Sequence, residues 1–186
     1  MELRTHLTDR TLAYVPRWGT APVVREKSVA EHSFYVARVA RRICQVLEGK
    51  GIVVNTLKAV DMALIHDEEE DFSGDIVHTF KTEDEKLQQQ IRKIAFRLFS
   101  EEYKSIPNIQ GEYFTKLSKE FDDRKSMEAQ IAKVADQIAG LAECEEEVNL
   151  GNKKFGELGG PLEKYSGEIK TIPYPWFKEI KEALGF

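Results

Sequence analysis

Cysteine is scarce in this chain. Of 186 residues only Cys44 and Cys144 are cysteines, each isolated within an apolar helical pattern. With no CxxC pair and no spaced framework, a disulfide scaffold is excluded and a reduced, cytoplasmic compartment is implied. Positive charge is not in excess either: 27 basic residues face 32 acidic ones, for a formal charge of −5. A surface that wraps nucleic acid by counterion release is therefore not expected. No stretch approaches the roughly 18 apolar residues of a membrane span, so no membrane partner is expected. The opening MELRTHLTDR lacks the apolar segment of a signal peptide. Strand signals are few, the clearest being the short run Ile52-Val53-Val54.

What the sequence does contain is helical periodicity. Hydrophobic residues make up 41% and charged residues 32%, the balance of an ordinary globular protein. The length suits one domain over residues 1–186, with a core at about 12–150 and a tail, 151–186, carrying a short helix. The first helix is expected from Ser28 to Glu48. Ser28 and Glu31 form a capping box, and Val29, Val36, Ala40, Ile43 and Leu47 repeat at helical steps. A second helix starts near Asn55 or Thr56, with Leu57, Val60, Ala63 and Leu64 as its apolar face, and ends on His66-Asp67. The segment DFSGD then reads as a turn broken at Gly74. A third helix is predicted over Glu83 to Glu102, with Leu87, Ile91, Ile94, Ala95 and Leu98 facing inward. A fourth, polar helix is predicted at about Gly111 to Phe121. A fifth runs from Ser126 to Glu147 on a stripe of Ile131, Val134, Ile138 and Leu141. The tail holds the glycine-rich GELGGP and a terminal helix with Pro175 at its first position. The fold class is all-α, a helical bundle.

Histidine is also rare: His6, His32, His66 and His78 are the four. A lone histidine on an apolar face is more often a satisfied core residue than a ligand. The combination carries more. His32 falls in the first turn of one helix, His66-Asp67 ends the next, and Asp136 lies on a later helix, one turn from Ala132 and from Gly140. Small residues above and below Asp136 allow a neighbouring backbone or an ion to come close. Bundle cores build metal sites from facing helices in this way. Two imidazole nitrogens and two carboxylates suit cobalt, manganese, zinc or iron rather than calcium, with magnesium as a further option. Such an ion acidifies water and neutralises phosphate charge.

His32, His66-Asp67 and Asp136 match the H…HD…D pattern of the HD-domain phosphohydrolases. The local sequences RW (Arg17-Trp18), SVAEHS (Ser28 to Ser33), LIHDEEEDFSGD (Leu64 to Asp75) and KVADQI (Lys133 to Ile138) resemble the bacterial 5′-deoxynucleotidase branch of that superfamily. The resemblance covers about residues 12–150. It implies an HD-domain helical bundle and metal-dependent hydrolysis of a deoxynucleoside monophosphate, by a homodimer or higher homo-oligomer. Carried over by position, Arg17 grips phosphate, Trp18 packs on the sugar or base, Asp75 reads the sugar 3′-hydroxyl, and Lys81 adds a second phosphate contact. Asp67 and Glu70 serve catalysis, Glu70 by handling protons of the attacking water. Arg suits phosphate as a planar, permanently charged fork, and a carboxylate near the metal can exchange protons with water or a leaving alkoxide. His78 departs from the pattern, standing where the branch has a proline-threonine stretch. Three other activities fit the same residues: a deoxynucleoside triphosphate triphosphohydrolase of the dATP type, a guanosine tetraphosphate hydrolase through HDEEED, and a nucleotide sensor without catalysis.

Overall fold

A capping hydroxyl opens the first long helix, α1 (Val29–Gly49). In the computed structural model, which describes residues 10–19, 21–76, 84–104 and 110–186, Ser28 is extended and its Oγ accepts the Glu31 N–H at 3.1 Å. This satisfies one of the amides left free at a helix start. Val29, Val36, Ala40, Ile43 and Leu47 are all fully buried, as the periodicity predicts.

Helix α2 (Thr56–Ile65) is capped by Asn55, whose Oδ1 accepts the Lys58 N–H at 3.1 Å. Its buried face is rotated from the expected one. Leu57 and Leu64 are 69% and 44% exposed, whereas Ala59, Met62, Ala63 and Ile65 are buried. The reason is that α2 lies against both α1 and the later helix α6 (Met127–Asn149). Small residues at 59 and 63 permit the close approach, and steps of three and four from Ala59 continue into His66. The face that packs is the face that delivers the histidine.

The segment read as a turn after His66-Asp67 holds a one-turn helix, α3 (Glu70–Ser73), which Gly74 ends at a φ of 68°. Helices α4 (Glu85–Lys104) and α5 (Gln110–Asp123) pack on each other. The inner face of α4 is Ala95, Phe99 and Ser100, while Leu87 and Ile94 are exposed. Helix α6 starts at Ser126, whose hydroxyl accepts the Ala129 N–H. It runs through the centre, touching α1, α2 and α5 and two tail helices, α7 (Lys153–Gly156) and α8 (Pro161–Lys170).

The tail is more structured than its glycines suggest. Helix α8 was not apparent in the sequence. The terminal α9 (Pro175–Ile180) starts on Pro175 as expected and is followed by a 3-10 turn, Lys181–Leu184. Ile169, Ile172, Trp176, Phe177 and Ile180 join the same hydrophobic cluster as α1, α2 and α6. The Ile52–Val54 run forms no strand among the described residues; extended pairing there is a single bridge, Pro16 with Ser28. No helix among the described residues is long and apolar enough to cross a membrane.

Candidate metal and phosphate site

The Pro16–Ser28 bridge determines where the Arg17-Trp18 loop sits. Arg17 N–H donates to the Lys27 carbonyl at 2.8 Å and Val29 N–H to the Val15 carbonyl at 3.0 Å. The loop is thereby laid across the N-terminus of α1, one turn from His32.

His32 is fully buried. Its Nε2 lies 3.2 Å from Asp136 Oδ1 and 3.8 Å from Asp67 Oδ2. His66 caps the C-terminus of α2, and its Nε2 lies 3.2 Å from Asp67 Oδ2 and 3.8 Å from Asp136 Oδ1. One ligand atom each from His32, His66 and Asp67 fall within 4.8 Å of one another. Asp136 of α6 approaches both imidazoles beside this three-residue group, so polar atoms from three elements of the chain come together.

The donor set fits a divalent cation. Both Nδ1 atoms are engaged on the far side, His32 with Glu143 Oε1 at 2.8 Å and His66 with the Ala63 carbonyl at 2.9 Å. This fixes the tautomer that leaves each Nε2 lone pair facing the carboxylates. His66 Nε2 is buried and makes no hydrogen bond, although Asp67 stands close by. A buried polar atom left so costs about 1–3 kcal/mol unless an ion uses its lone pair.

Charge in the protein alone is arranged to the same end. Burial opposes ionisation of Asp67, but His66, Arg17 and His32 hold it well below the usual carboxylate range. Burial likewise opposes ionisation of Asp136, and Lys133, His32 and His66 outweigh it; the Lys133 ammonium is 2.6 Å from Asp136 Oδ2. Burial and Arg17 both work against a charged His32, yet Asp136 and Glu143 raise it to about 9.

Arg17 is largely buried, with Nη1 3.5 Å from Asp67 Oδ2 and 3.9 Å from Asp75 Oδ2, and Nε 3.7 Å from Glu143 Oε2. Burial disfavours its charge, and the carboxylates of Asp67, Glu143 and Asp136 more than restore it. Trp18 takes a left-handed backbone, φ 65°, an uncommon conformation for a bulky side chain. Its N–H donates to Asp75 Oδ2 at 2.8 Å and its indole Nε1 to Glu143 Oε2 at 3.0 Å. Glu70 is 3% exposed, at the start of α3, with its N–H on the Asp67 carbonyl.

Arg17, Trp18, His32, His66, Asp67, Asp75 and Asp136 thus meet in one cluster, and Glu70 lies in the turn directly after it. Lys81 and His78 fall outside the described residues. Sequence reasoning missed Glu143, which binds His32 and Trp18 at once. A signal existed: Glu143 is seven residues past Asp136, two turns along α6 on the same face.

Known proteins resemble this chain in fold and sequence. An HD-domain phosphohydrolase from Listeria innocua superposes with a TM-score of 0.74 at 26% identity, over 86% of this chain and 75% of that one. A protein of Pyrococcus horikoshii OT3 superposes at 0.77 with 24% identity, over 99% and 96%. Fold and site together define an all-α HD-domain, metal-dependent hydrolase. A 5′-deoxynucleotidase of Klebsiella pneumoniae subsp. pneumoniae is 27% identical over 170 residues, 91% of this chain and 85% of that protein. A family profile described as 5′-deoxynucleotidase YfbR-like matches residues 7–180, and the chain belongs to that family. The match runs well past residue 150, through the tail helices.

Proposed function

We propose that this chain removes the 5′-phosphate from deoxynucleoside monophosphates. The observation that carries the reading is the meeting of Arg17 with the His32, His66 and Asp67 cluster, Nη1 standing 3.5 Å from Asp67. A permanently charged phosphate fork and a cation site share one carboxylate.

In this reading His32, His66, Asp67 and Asp136 hold a divalent ion such as cobalt, manganese, zinc or iron. When bound, the ion supplies charge neutralisation and a more acidic water. Arg17 holds the phosphate oxygens and fixes the phosphorus for in-line attack. Trp18 offers a flat wall to the sugar or base, and Asp75 accepts from the 3′-hydroxyl. Lys81 is proposed as a second phosphate contact. As the oxygen of water bonds to phosphorus and the bond to O5′ breaks, Glu70 takes the water proton and returns it to O5′.

The reading extends to a single-domain, cytoplasmic homo-oligomer. Buried, unpaired Cys44 and Cys144 support a reduced compartment. The exposed Phe34 and Tyr35 on α1 support assembly.

Phosphate release from a panel of deoxy- and ribonucleotides with one to three phosphates tests this, with cobalt or manganese added. Deoxynucleoside monophosphates should be turned over, and chelation or Asp67→Ala should abolish the activity. Release of triphosphate from deoxynucleoside triphosphates would reassign the chain to the sister activity. Turnover of neither class by metal-loaded protein would support a nucleotide sensor.

A further inference from the structure

Small residues near Asp136 suggest a close approach of backbone or ion. At Gly140 the structure shows something else: the ring of Tyr165, from α8. A Cβ added to Gly140 would collide with Tyr165 Cε1 and lie 2.6 Å from its Cζ. Glycine in mid-helix is unfavourable by about 1 kcal/mol relative to alanine, so this position gives up helix stability to seat an aromatic ring one turn from Asp136.

From that seat the ring meets Trp18 edge-on, with centroids 6.0 Å apart at 71°. Phe155 of α7 meets the same indole at 5.2 Å and 71°. The indole is therefore held by hydrogen bonds at its backbone N–H and at Nε1, and by two edges from the tail. That support matters because Trp18 sits in a left-handed conformation, which persists only where its surroundings over-determine it. The phenol oxygen brings no charge to the site. The Tyr165 hydroxyl is itself held protonated far above its usual range, by burial and then by Asp136.

We propose that Tyr165 is a positioning residue. Seated on Gly140, it fixes the Trp18 indole and so sets how tightly the site selects the sugar of its nucleotide. The proposal rests on the reading of Trp18 as a sugar wall. It assigns selectivity to the tail, outside the helices that carry the cation ligands. Edge-to-face packing does the positioning, so the ring is required and the hydroxyl is secondary.

The test has two readouts. The first needs no catalysis. In protein labelled with 5-fluorotryptophan, the Trp18 resonance is assigned by its loss in Trp18→Phe. Tyr165→Ala should shift and broaden that fluorine signal while leaving the Trp176 signal in place, and Tyr165→Phe should restore it. Gly140→Ala should reproduce the Tyr165→Ala shift with Tyr165 intact, and so keeps the test alive if the alanine variant does not fold. An unmoved Trp18 signal in either variant would overturn the positioning role.

The second readout is kinetic. For Tyr165→Ala, KM for a deoxynucleoside monophosphate should rise about tenfold with kcat changed less than about threefold. The preference over the matching ribonucleotide should fall by about tenfold, and Tyr165→Phe should recover it. An equal loss of kcat on nucleotides and on p-nitrophenyl phosphate would overturn the selectivity role. If the native protein turns over no nucleotide, the functional reading fails, and the fluorine signals still decide whether Tyr165 positions Trp18.

Discussion

His32 Nδ1 and Glu143 Oε1 stand 2.8 Å apart inside the bundle. Because the other Glu143 oxygen receives the Trp18 indole N–H, one carboxylate orients the His32 imidazole and the Trp18 indole together. It also stands 3.7 Å from Arg17 Nε. Carboxylates behind a ligating histidine raise its basicity and fix its ring.

Glu143→Gln should therefore weaken cation affinity by about 10–100-fold, because the amide offers one acceptor where two donors arrive. Calorimetric titration with manganese or cobalt measures this. Affinity within about twofold of the native protein would show that the carboxylate only fills space.

Glu70→Gln keeps shape and burial but removes the proton acceptor. It should lower kcat by about 10²–10⁴-fold while cation affinity stays near native. Parallel turnover assays and metal titrations check both halves. An unchanged rate would remove Glu70 from the proton path.

Glu147 ties the Arg17-Trp18 loop to the end of α6. Its carboxylate accepts the Val24 N–H at 2.7 Å, the Arg25 N–H at 3.0 Å and the Asn152 amide at 2.7 Å. Burial opposes its ionisation, but these donors hold it below the usual range. The folded state therefore binds its proton less readily than the unfolded state. The resulting stability is full above the unfolded value of about 4.3 and is lost as pH falls through the lower folded value. Glu147→Gln turns an NH2 group toward one donor. It should cost about 2 kcal/mol, or about 5 °C in Tm for a chain of this size, with the deficit shrinking in acid. Thermal melts from pH 7 down to pH 3 test this; a deficit that does not change with pH would show that the charge of Glu147 is not what holds the loop.

The helices that could be read from sequence are those whose ends carry a chemical marker. Ser28, Asn55 and Ser126 each cap the helix they were expected to open. The convergence of the proposed cation ligands was legible for the same reason, since His32 is placed by a cap and His66 by the helix end. The inward faces of α2 and α4 were less legible, because periodicity shows a stripe but not which neighbours flank it. Leu57 and Leu64 looked like core and are exposed, since α2 is pressed between α1 and α6 through its small residues. Helix α8 was hidden by the glycines before it and by a mixed sequence whose burial depends on distant partners. Gly140 was noticed as a small residue near Asp136, but that the space belonged to Tyr165 required the path of the tail. Glu143 had a helical register to betray it and no motif to draw attention.

The loop bearing Arg17 and Trp18 is stitched down at Val15, Arg17, Val24 and Arg25. A segment anchored along its length surrenders little freedom when a ligand arrives, because its ordering was completed when the chain folded. Nucleotide capture at this surface should resemble docking into a rigid socket rather than the closing of a flap, with a small entropic penalty and little dependence on loop dynamics.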